Sequence, residues 1–368
     1  MNFSTNSEKT KFFFIYLFLF LISDVIYSNF FFNNKYKSNC LFTFNNLNFL
    51  EKNCHFKQKY IRRVSAYNVY TDDLGLRFSG KKFQKDKENI FYFGDSFVYG
   101  LGLDYSKTLV GINEKKINKF NHLNFSLQGY SPTVYLYQLK EMIEKKIYPK
   151  KIFLSLDLTD VLEEARRQVN QSAVASSVNT VFTATSTHQY KNELSGNTFK
   201  KKNFKASVFI AQSVNNFFRN IKLFLLKKIT KPVLEPGKTF VGSFLYSPVE
   251  TYSPKTFEDR NFDEVIDNMK ITLSQISALS KKVGAEFYIL IYPYPDTMKF
   301  GQASFDWEKF AQDSCFESNC KKLINAFPFF NEVKNTNKDW LEKLFIDGDL
   351  HHSELGHTII SNLIIKEF

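Results

Sequence analysis

The chain has 368 residues, 43% of them hydrophobic and 17% aromatic, which is ample apolar material for one large domain or two modest ones; the protein is globular. Lys and Arg number 49 against 37 Asp and Glu, giving a net charge of +12. The excess is spread along the chain without a compact basic stripe carrying interleaved aromatics, which argues against nucleic acid as a partner.

Residues 12–32 are apolar apart from Ser23, Asp24, Ser28 and Asn29. A helix of that length, at about 1.5 Å per residue, spans roughly 30 Å, the thickness of a bilayer core. Asp24 costs up to about 3 kcal/mol at mid-bilayer and less toward an interface. A cleaved signal peptide is the rival, but Ile26 stands two places before Ser28, so no small-x-small cleavage site follows. Residues 1–35 are therefore expected to be a cytoplasmic tip and a single transmembrane anchor. Lys9 and Lys11 precede the segment while Lys35 and Lys37 follow it, so charge alone orients it poorly.

Cys40 and Cys54 lie close together after this segment, and Cys315 and Cys320 lie close together near the other end. Four cysteines allow three pairings, of which two local bridges are the simplest; four free buried thiols are the alternative. Disulfides persist outside the reducing cytosol, so the expected location of the domain is the periplasmic or extracellular side. No Cys-x-x-Cys or clustered Cys/His spacing is present, so no metal and no cofactor is expected. Nothing in the sequence indicates an oligomeric state.

Residues 36–89 read as a polar, basic lead-in, with the charge run at 81–87 a solvated loop. Ile90-Phe91-Tyr92-Phe93 then reads as a short buried strand stopped by Gly94-Asp95-Ser96. That is the carboxyl end of a strand, where open α/β sheets place their chemistry. A serine at the turn into a helix is held on a rigid element. Its own N–H is one of the unpaired donors of the first turn, so Ser96 can serve as nucleophile and oxyanion donor together.

A second strand is expected over 122–127, ending at Gln128-Gly129-Tyr130, where Gly129 fits a turn needing positive φ. Ser131 and Pro132 supply an N-cap and a first-turn proline for a helix to about residue 146. A third strand is expected over 152–158. Beyond it Asp157, Asp160, Glu163 and Glu164 form no metal-ligand spacing and read as solvated or loop-capping carboxylates. Residues 165–260 look like an insertion. Its Ser- and Thr-rich part, 172–195, lacks clear period and is expected to be a mobile or substrate-covering loop. Residues 204–229 show near-helical apolar spacing with interspersed lysines, a cationic amphipathic helix that packs on the domain or lies on a membrane. Pro232, Pro236, Gly237, Gly242 and Pro248 mark a long irregular connection.

Regular pattern returns with a helix over 262–282, a strand over 286–292, and short helices at 306–310 and 338–344. Strands alternating with helices argue a parallel, doubly wound sheet. Near the end stands Asp347-Gly348-Asp349-Leu350-His351-His352-Ser353-Glu354-Leu355-Gly356-His357. Leu355, Ile359, Ile360, Leu363 and Ile364 share one face of a final helix with Ser353 as N-cap. A serine nucleophile needs a base, and an imidazole beside a carboxylate supplies one, the carboxylate fixing tautomer and ring orientation.

Gly-Asp-Ser near the start of the domain together with Asp-x-His near its end resembles the SGNH (GDSL-type) hydrolase family of the membrane-anchored bacterial type. The resemblance covers most of 70–368 through three separated motifs and leaves the insertion unmatched. It implies an α/β, flavodoxin-like, doubly wound parallel sheet over 90–368 behind the N-terminal transmembrane helix. It places the base at His351, its carboxylate at Asp349 with Asp347 as the alternative, and the nucleophile at Ser96. Thr71, Gly75 and Arg77 match the "T-x-x-x-G-x-R" lead-in found in such proteins. Asn124 and Gly129 match "N-x-x-x-x-G-Y", whose glycine N–H is the second oxyanion donor. Where relatives have Asn-Asp, with the asparagine amide as third donor, this chain departs with Thr159-Asp160. Either Thr159 substitutes, or two backbone donors suffice, or catalysis is weak, since a lost donor costs about 3–4 kcal/mol of transition-state stabilisation. The implied activity is hydrolysis of a carboxylic ester, with an acyl group on a surface glycan, a lipid or a small ester as substrate. The rival readings are O-acyl transfer to a cell-envelope polysaccharide and a non-catalytic binding or assembly protein keeping the fold.

Overall fold

The computed structural model describes residues 15–16, 18–20, 22–24, 40–60, 64–81, 83–168, 170–183, 262–302 and 305–368. The chain divides into two units, Met1–Asn39 with His188–Val233, and Cys40–Thr187 with Leu234–Phe368. Of the first, only helical positions between residues 15 and 24 are described. The expected anchor over 12–32 thus lies largely outside the described residues, among which no helix is long and apolar enough to cross a membrane. The expected helix over 204–229 and the irregular connection after it also lie outside them.

The second unit is built on one large sheet. Its parallel part comprises β6 (Asn89–Phe93), β7 (Asn121–Asn124), β8 (Pro149–Leu156), β9 (Glu286–Ile291) and β10 (Lys322–Asn325), in the spatial order β7-β6-β8-β9-β10. This is the flavodoxin-like order 2-1-3-4-5 that the alternation of strands and helices suggests. β6 and the last five residues of β8 are buried throughout, as strands covered on both faces must be.

The crossover from β6 to β7 carries α2 (Leu109–Lys116) and runs one way along the sheet. The later crossovers carry α3 (Pro132–Glu144), α6 (Phe262–Lys282) and α8 (Trp307–Ser318) and run the other way. Right-handed connections therefore put α2 on one face and the others on the opposite face. α2 packs against the final helix α11 (Glu354–Ile365), while α6 packs against both α3 and α8. Between β6 and β8 the strand order reverses, which opens a crevice at their carboxyl ends.

The lead-in is more structured than its polarity suggests. A hairpin of β1 (Leu41–Phe44) and β2 (Leu47–Leu50) is followed by β3 (His55–Gln58), β4 (Tyr67–Thr71) and β5 (Arg77–Phe78), and the last three extend the large sheet antiparallel beyond β7. β4 alternates buried and exposed residues, with Tyr67, Val69 and Thr71 facing inward. Cys40 is joined to Cys54 and Cys315 to Cys320, the two local pairs.

Three expectations need correction. Residues 172–183 are no loop: α5 (Gln171–Thr183) follows α4 (Leu158–Gln168), burying Val174, Val178, Val181 and Phe182 against α3. Asp157, Asp160 and Glu164 are not solvated but 2%, 1% and 0% exposed; they are the capping carboxylates of the other expectation, accepting the N–H groups of Thr159, Asp157 and Thr133. Ser131 stands at the N-cap of α3 without capping it. Its hydroxyl donates to Glu164 at 2.7 Å, and that carboxylate accepts the N–H of Thr133 at 3.0 Å, so the cap comes from another helix. Smaller differences are two elements absent from the sequence reading, β10 and α9 (Phe327–Thr336). A third is the short helix expected at 306–310, which extends to Ser318 as α8.

Candidate active site

Ser96 opens α1 (Ser96–Tyr99), a single turn directly after β6. So short a helix has no stability of its own, and its ends are fixed from outside. Asp95 caps it, its carboxylate accepting the N–H of Phe97 at 2.8 Å. Gly94 allows the turn to close, since a Cβ there would stand 2.3 Å from Cγ2 of Val98. At the other end the carbonyl oxygens are claimed by side chains. Arg77 donates to Tyr99 O at 2.6 Å, Gly100 O at 3.0 Å and Leu103 O at 2.5 Å, and Asn124 donates to Val98 O at 3.3 Å.

The guanidinium is almost fully buried and lies over the rings of Tyr99 and Tyr67, 4.7 and 5.3 Å from their centroids. A cation at the carboxyl end of a helix meets the negative end of its dipole. The Asp72 carboxylate shapes the turn that delivers Arg77, accepting the N–H of Leu74 at 3.0 Å and of Leu76 at 2.7 Å. The lead-in motif thus has a physical role: it clamps the turn that carries Ser96.

The final loop brings in the other two groups. His351 Nε2 lies 2.8 Å from Ser96 Oγ, and His351 Nδ1 lies 2.5 Å from Asp349 Oδ1. The same carboxylate oxygen accepts the backbone N–H of His351 at 2.8 Å, locking the loop and the ring together. Asp349 is completely buried. Burial alone would push its carboxyl up, but the hydrogen bonds and charge of His351 outweigh it and hold the group below the usual carboxylate range. Phe97 packs on the imidazole, centroids 4.6 Å apart. Ser96 is half-buried, and its remote partners meet it across 255 positions of sequence.

The neighbouring histidines point elsewhere. His352 is buried among Phe97, Tyr292, Phe330 and Phe345, and burial keeps it well below the ordinary imidazole range. His357 Nδ1 accepts the N–H of Leu109 at 3.1 Å, one of the unpaired donors opening α2. Burial, with Arg77 next in effect, lowers it to about 3, so it stays the neutral acceptor this bond requires. Asp347, the alternative acid, is exposed.

Gly129 sits in the loop after β7 at φ +75°, the left-handed turn its identity suggests, with its carbonyl accepting from Arg167 at 3.2 Å. Neither its N–H nor that of Ser96 donates a hydrogen bond within the described residues. Thr159 stands in the first turn of α4, just after β8, and its hydroxyl faces Asp157 Oδ1 at 2.7 Å and Asp95 Oδ2 at 3.1 Å. A hydroxyl has one proton, and two carboxylates already compete for it.

Those carboxylates belong to a cluster that sequence reasoning missed. Asp95, Asp157 and Asp160 are all buried behind Ser96, and among the described residues the hydrogen-bond donors to them are neutral: backbone N–H groups, Thr159, Tyr135 and Tyr292, the Ser96 proton being directed to His351. Burial and the charge of Asp157 push Asp95 and Asp160 well above the ordinary carboxylate range. The available signal was Asp157 itself, an acid at the end of an apolar strand adjacent to the Gly-Asp-Ser strand.

No protein-family model and no curated protein matches the chain. Among solved structures it is similar to a member of the lipolytic protein G-D-S-L family from Veillonella parvula, 12% identical over 76% of this chain and 98% of that one, with a TM-score of 0.40. It is also similar to the psychrotrophic esterase EstA from Pseudoalteromonas sp., 13% identical over 76% and 96%, TM-score 0.36. A third similarity is to Axe2, an acetylxylan esterase from Geobacillus stearothermophilus, 14% identical over 76% and 93%, TM-score 0.35. At these scores the likenesses carry no argument about activity, which is read from the site itself.

The arrangement has the parts of an acyl-transfer centre: a hydroxyl on a rigid turn, an imidazole at hydrogen-bond distance, a buried carboxylate behind it, and two backbone N–H groups left for an anion.

Proposed function

We propose that the chain is an SGNH-type serine hydrolase that cleaves carboxylic esters through an acyl-enzyme. The observation that carries this reading is the continuous Ser96–His351–Asp349 hydrogen-bonded chain at 2.8 and 2.5 Å. Ser96 Oγ attacks the ester carbonyl while His351 Nε2 takes its proton, and Asp349 stabilises the resulting imidazolium. The carbonyl oxygen becomes an oxyanion, for which the N–H groups of Ser96 and Gly129 are the donors. Thr159 supplies none while its proton is held by Asp157. The C–O bond to the alcohol breaks as His351 returns the proton to the departing oxygen. Water then attacks the acyl-enzyme by the same route in reverse, releasing the acid and restoring Ser96.

Two disulfides support an oxidising location, and the apolar stretch 12–32 supports an anchor there. An acyl ester on a surface glycan or lipid fits that setting. Side-by-side turnover of a nitrophenyl ester by His351→Ala, His352→Ala and His357→Ala tests the assignment. His351→Ala is expected to lose about as much as Ser96→Ala, because such groups act as a unit. An active His351→Ala protein beside a dead but folded His352→Ala protein would overturn it.

A further inference from the structure

One side chain of the lead-in reaches the site without a role in the mechanism above. Tyr60 follows β3, and its ring meets the imidazole of His351 edge-on, with centroids 5.4 Å apart and planes at 89°. Its flank rests against the turn after α1, Cδ1 lying 3.7 Å from where a Cβ on Gly102 would stand. The phenol oxygen is 3.4 Å from His351 Nδ1. That nitrogen carries the proton given to Asp349 Oδ1, so it has no lone pair to receive the phenol proton.

The acceptor within this group is Asp349. Its Oδ1 takes both the ring and the backbone N–H of His351, whereas its Oδ2 is buried with no hydrogen-bond partner among the described residues. An ionised oxygen in that position is costly unless a donor faces it. The Tyr60 hydroxyl, 3.4 Å from the ring nitrogen that bonds this carboxylate, adds to the effect of His351 in holding the carboxyl down against burial. Burial and the Asp349 charge push the phenol itself up, so it remains a donor.

We propose that Tyr60 is a positioning residue whose O–H donates to the second oxygen of Asp349, closing a Tyr60–Asp349–His351–Ser96 chain. It acts through Asp349 and touches no substrate atom. The donor shares the carboxylate charge with His351. Removing it leaves more of that charge facing the imidazole, which favours the imidazolium and loosens the ring's aim at Ser96. Besides Asp349 and Tyr60, the titratable groups facing His351 are the buried neutral His352 and His357, with Asp95 across Ser96. None of these is altered when the phenol oxygen is deleted.

The role assigned to Tyr60 rests on the serine-hydrolase reading, and the test separates the two. The His351 ring is titrated by NMR in the wild-type protein and in Tyr60→Phe, with the resonance assigned by its loss in His351→Ala. Ester kinetics and thermal unfolding are measured on the same preparations. The expected result is an upward shift of the His351 titration by about half a pH unit, with the acid limb of kcat/KM moving by the same amount. At pH 7 kcat is expected to fall about three- to tenfold with KM unchanged, and the melting temperature to drop by about 2–6 °C as the buried carboxylate oxygen loses its donor. Superimposable His351 titrations in the two proteins would overturn the proposal. A shifted titration in a wild-type protein that turns over no ester would sustain the link from Tyr60 to Asp349 and refute the hydrolase reading instead.

Discussion

Arg77→Lys keeps the charge and removes the fork, so it isolates what the guanidinium does for the Ser96 turn. Arg77 makes three bonds to carbonyl oxygens at the end of α1, spread over Tyr99, Gly100 and Leu103, while lying flat on Tyr99. A lysine ammonium is a point donor on a different stem and reaches one of these oxygens at a time. Two charge-assisted bonds lost at about 1.5 kcal/mol each give about 3 kcal/mol. The lost stacking adds about 0.5–1 kcal/mol. At about 2–3 °C per kcal/mol for a domain of this size, the midpoint of thermal unfolding should drop by about 7–12 °C. Because the freed carbonyls belong to the turn that aims Ser96, ester turnover well below that midpoint should also fall about tenfold or more. Circular dichroism melts and nitrophenyl ester kinetics on the same preparations measure both. A lysine variant within 2 °C or so of wild type and fully active would show that the carbonyl clamp is not what holds the nucleophile.

Gly94→Ala forces a Cβ to within 2.3 Å of Val98 Cγ2, and denaturant unfolding should show a loss of about 1–3 kcal/mol that Val98→Ala partly restores in the double variant. Asp157→Asn should stabilise the protein in a pH-dependent way. Asp95 and Asp160 have folded-state affinities for the proton raised by burial and by Asp157, so the native state holds protons that the unfolded chain has released. Stability is therefore lost as pH rises above the ordinary carboxylate range and through these raised values. Removing the charge of Asp157 reduces that loss, so the melting temperature of the variant should exceed wild type by a margin that widens from pH 5 to pH 8. A margin that stays constant or narrows over that range contradicts the shared-charge account of the cluster.

The sequence made the reacting groups legible because each stands at a boundary the chain marks clearly. Ser96 ends a run of buried aromatics, and Asp349 and His351 precede an apolar helix, although its buried face is Gly356, His357, Ile360, Ser361, Leu363 and Ile364, and Leu355, expected on that face, is exposed. The parallel strands β6 to β9 were legible for the same reason, whereas the four-residue β10 was not. What escaped is held together by contacts remote in sequence. β3, β4 and β5 are short and set among lysines and asparagines, and only pairing with one another and with β7 makes them strands. The valine stripe of α5 has helical spacing, but serine and threonine between the valines conceal it. Asp157, Asp160 and Glu164 read as solvated or loop-capping because burying three acids runs against their usual preference, and only the structure shows the neutral donors that receive them in the interior. Tyr60 gave no sign at all, since its relation to His351 spans 291 positions.

The most direct test of the account is labelling with a fluorophosphonate, read by intact mass and by peptide mapping. A hydroxyl 2.8 Å from an imidazole that is backed by a buried carboxylate should take up one phosphonyl group per chain, on Ser96. Ser96→Ala should remain folded and take up none, and His351→Ala should label far more slowly. An identical adduct on the alanine variant, or no adduct on a folded wild-type protein, would contradict the claim that Ser96 is an activated nucleophile.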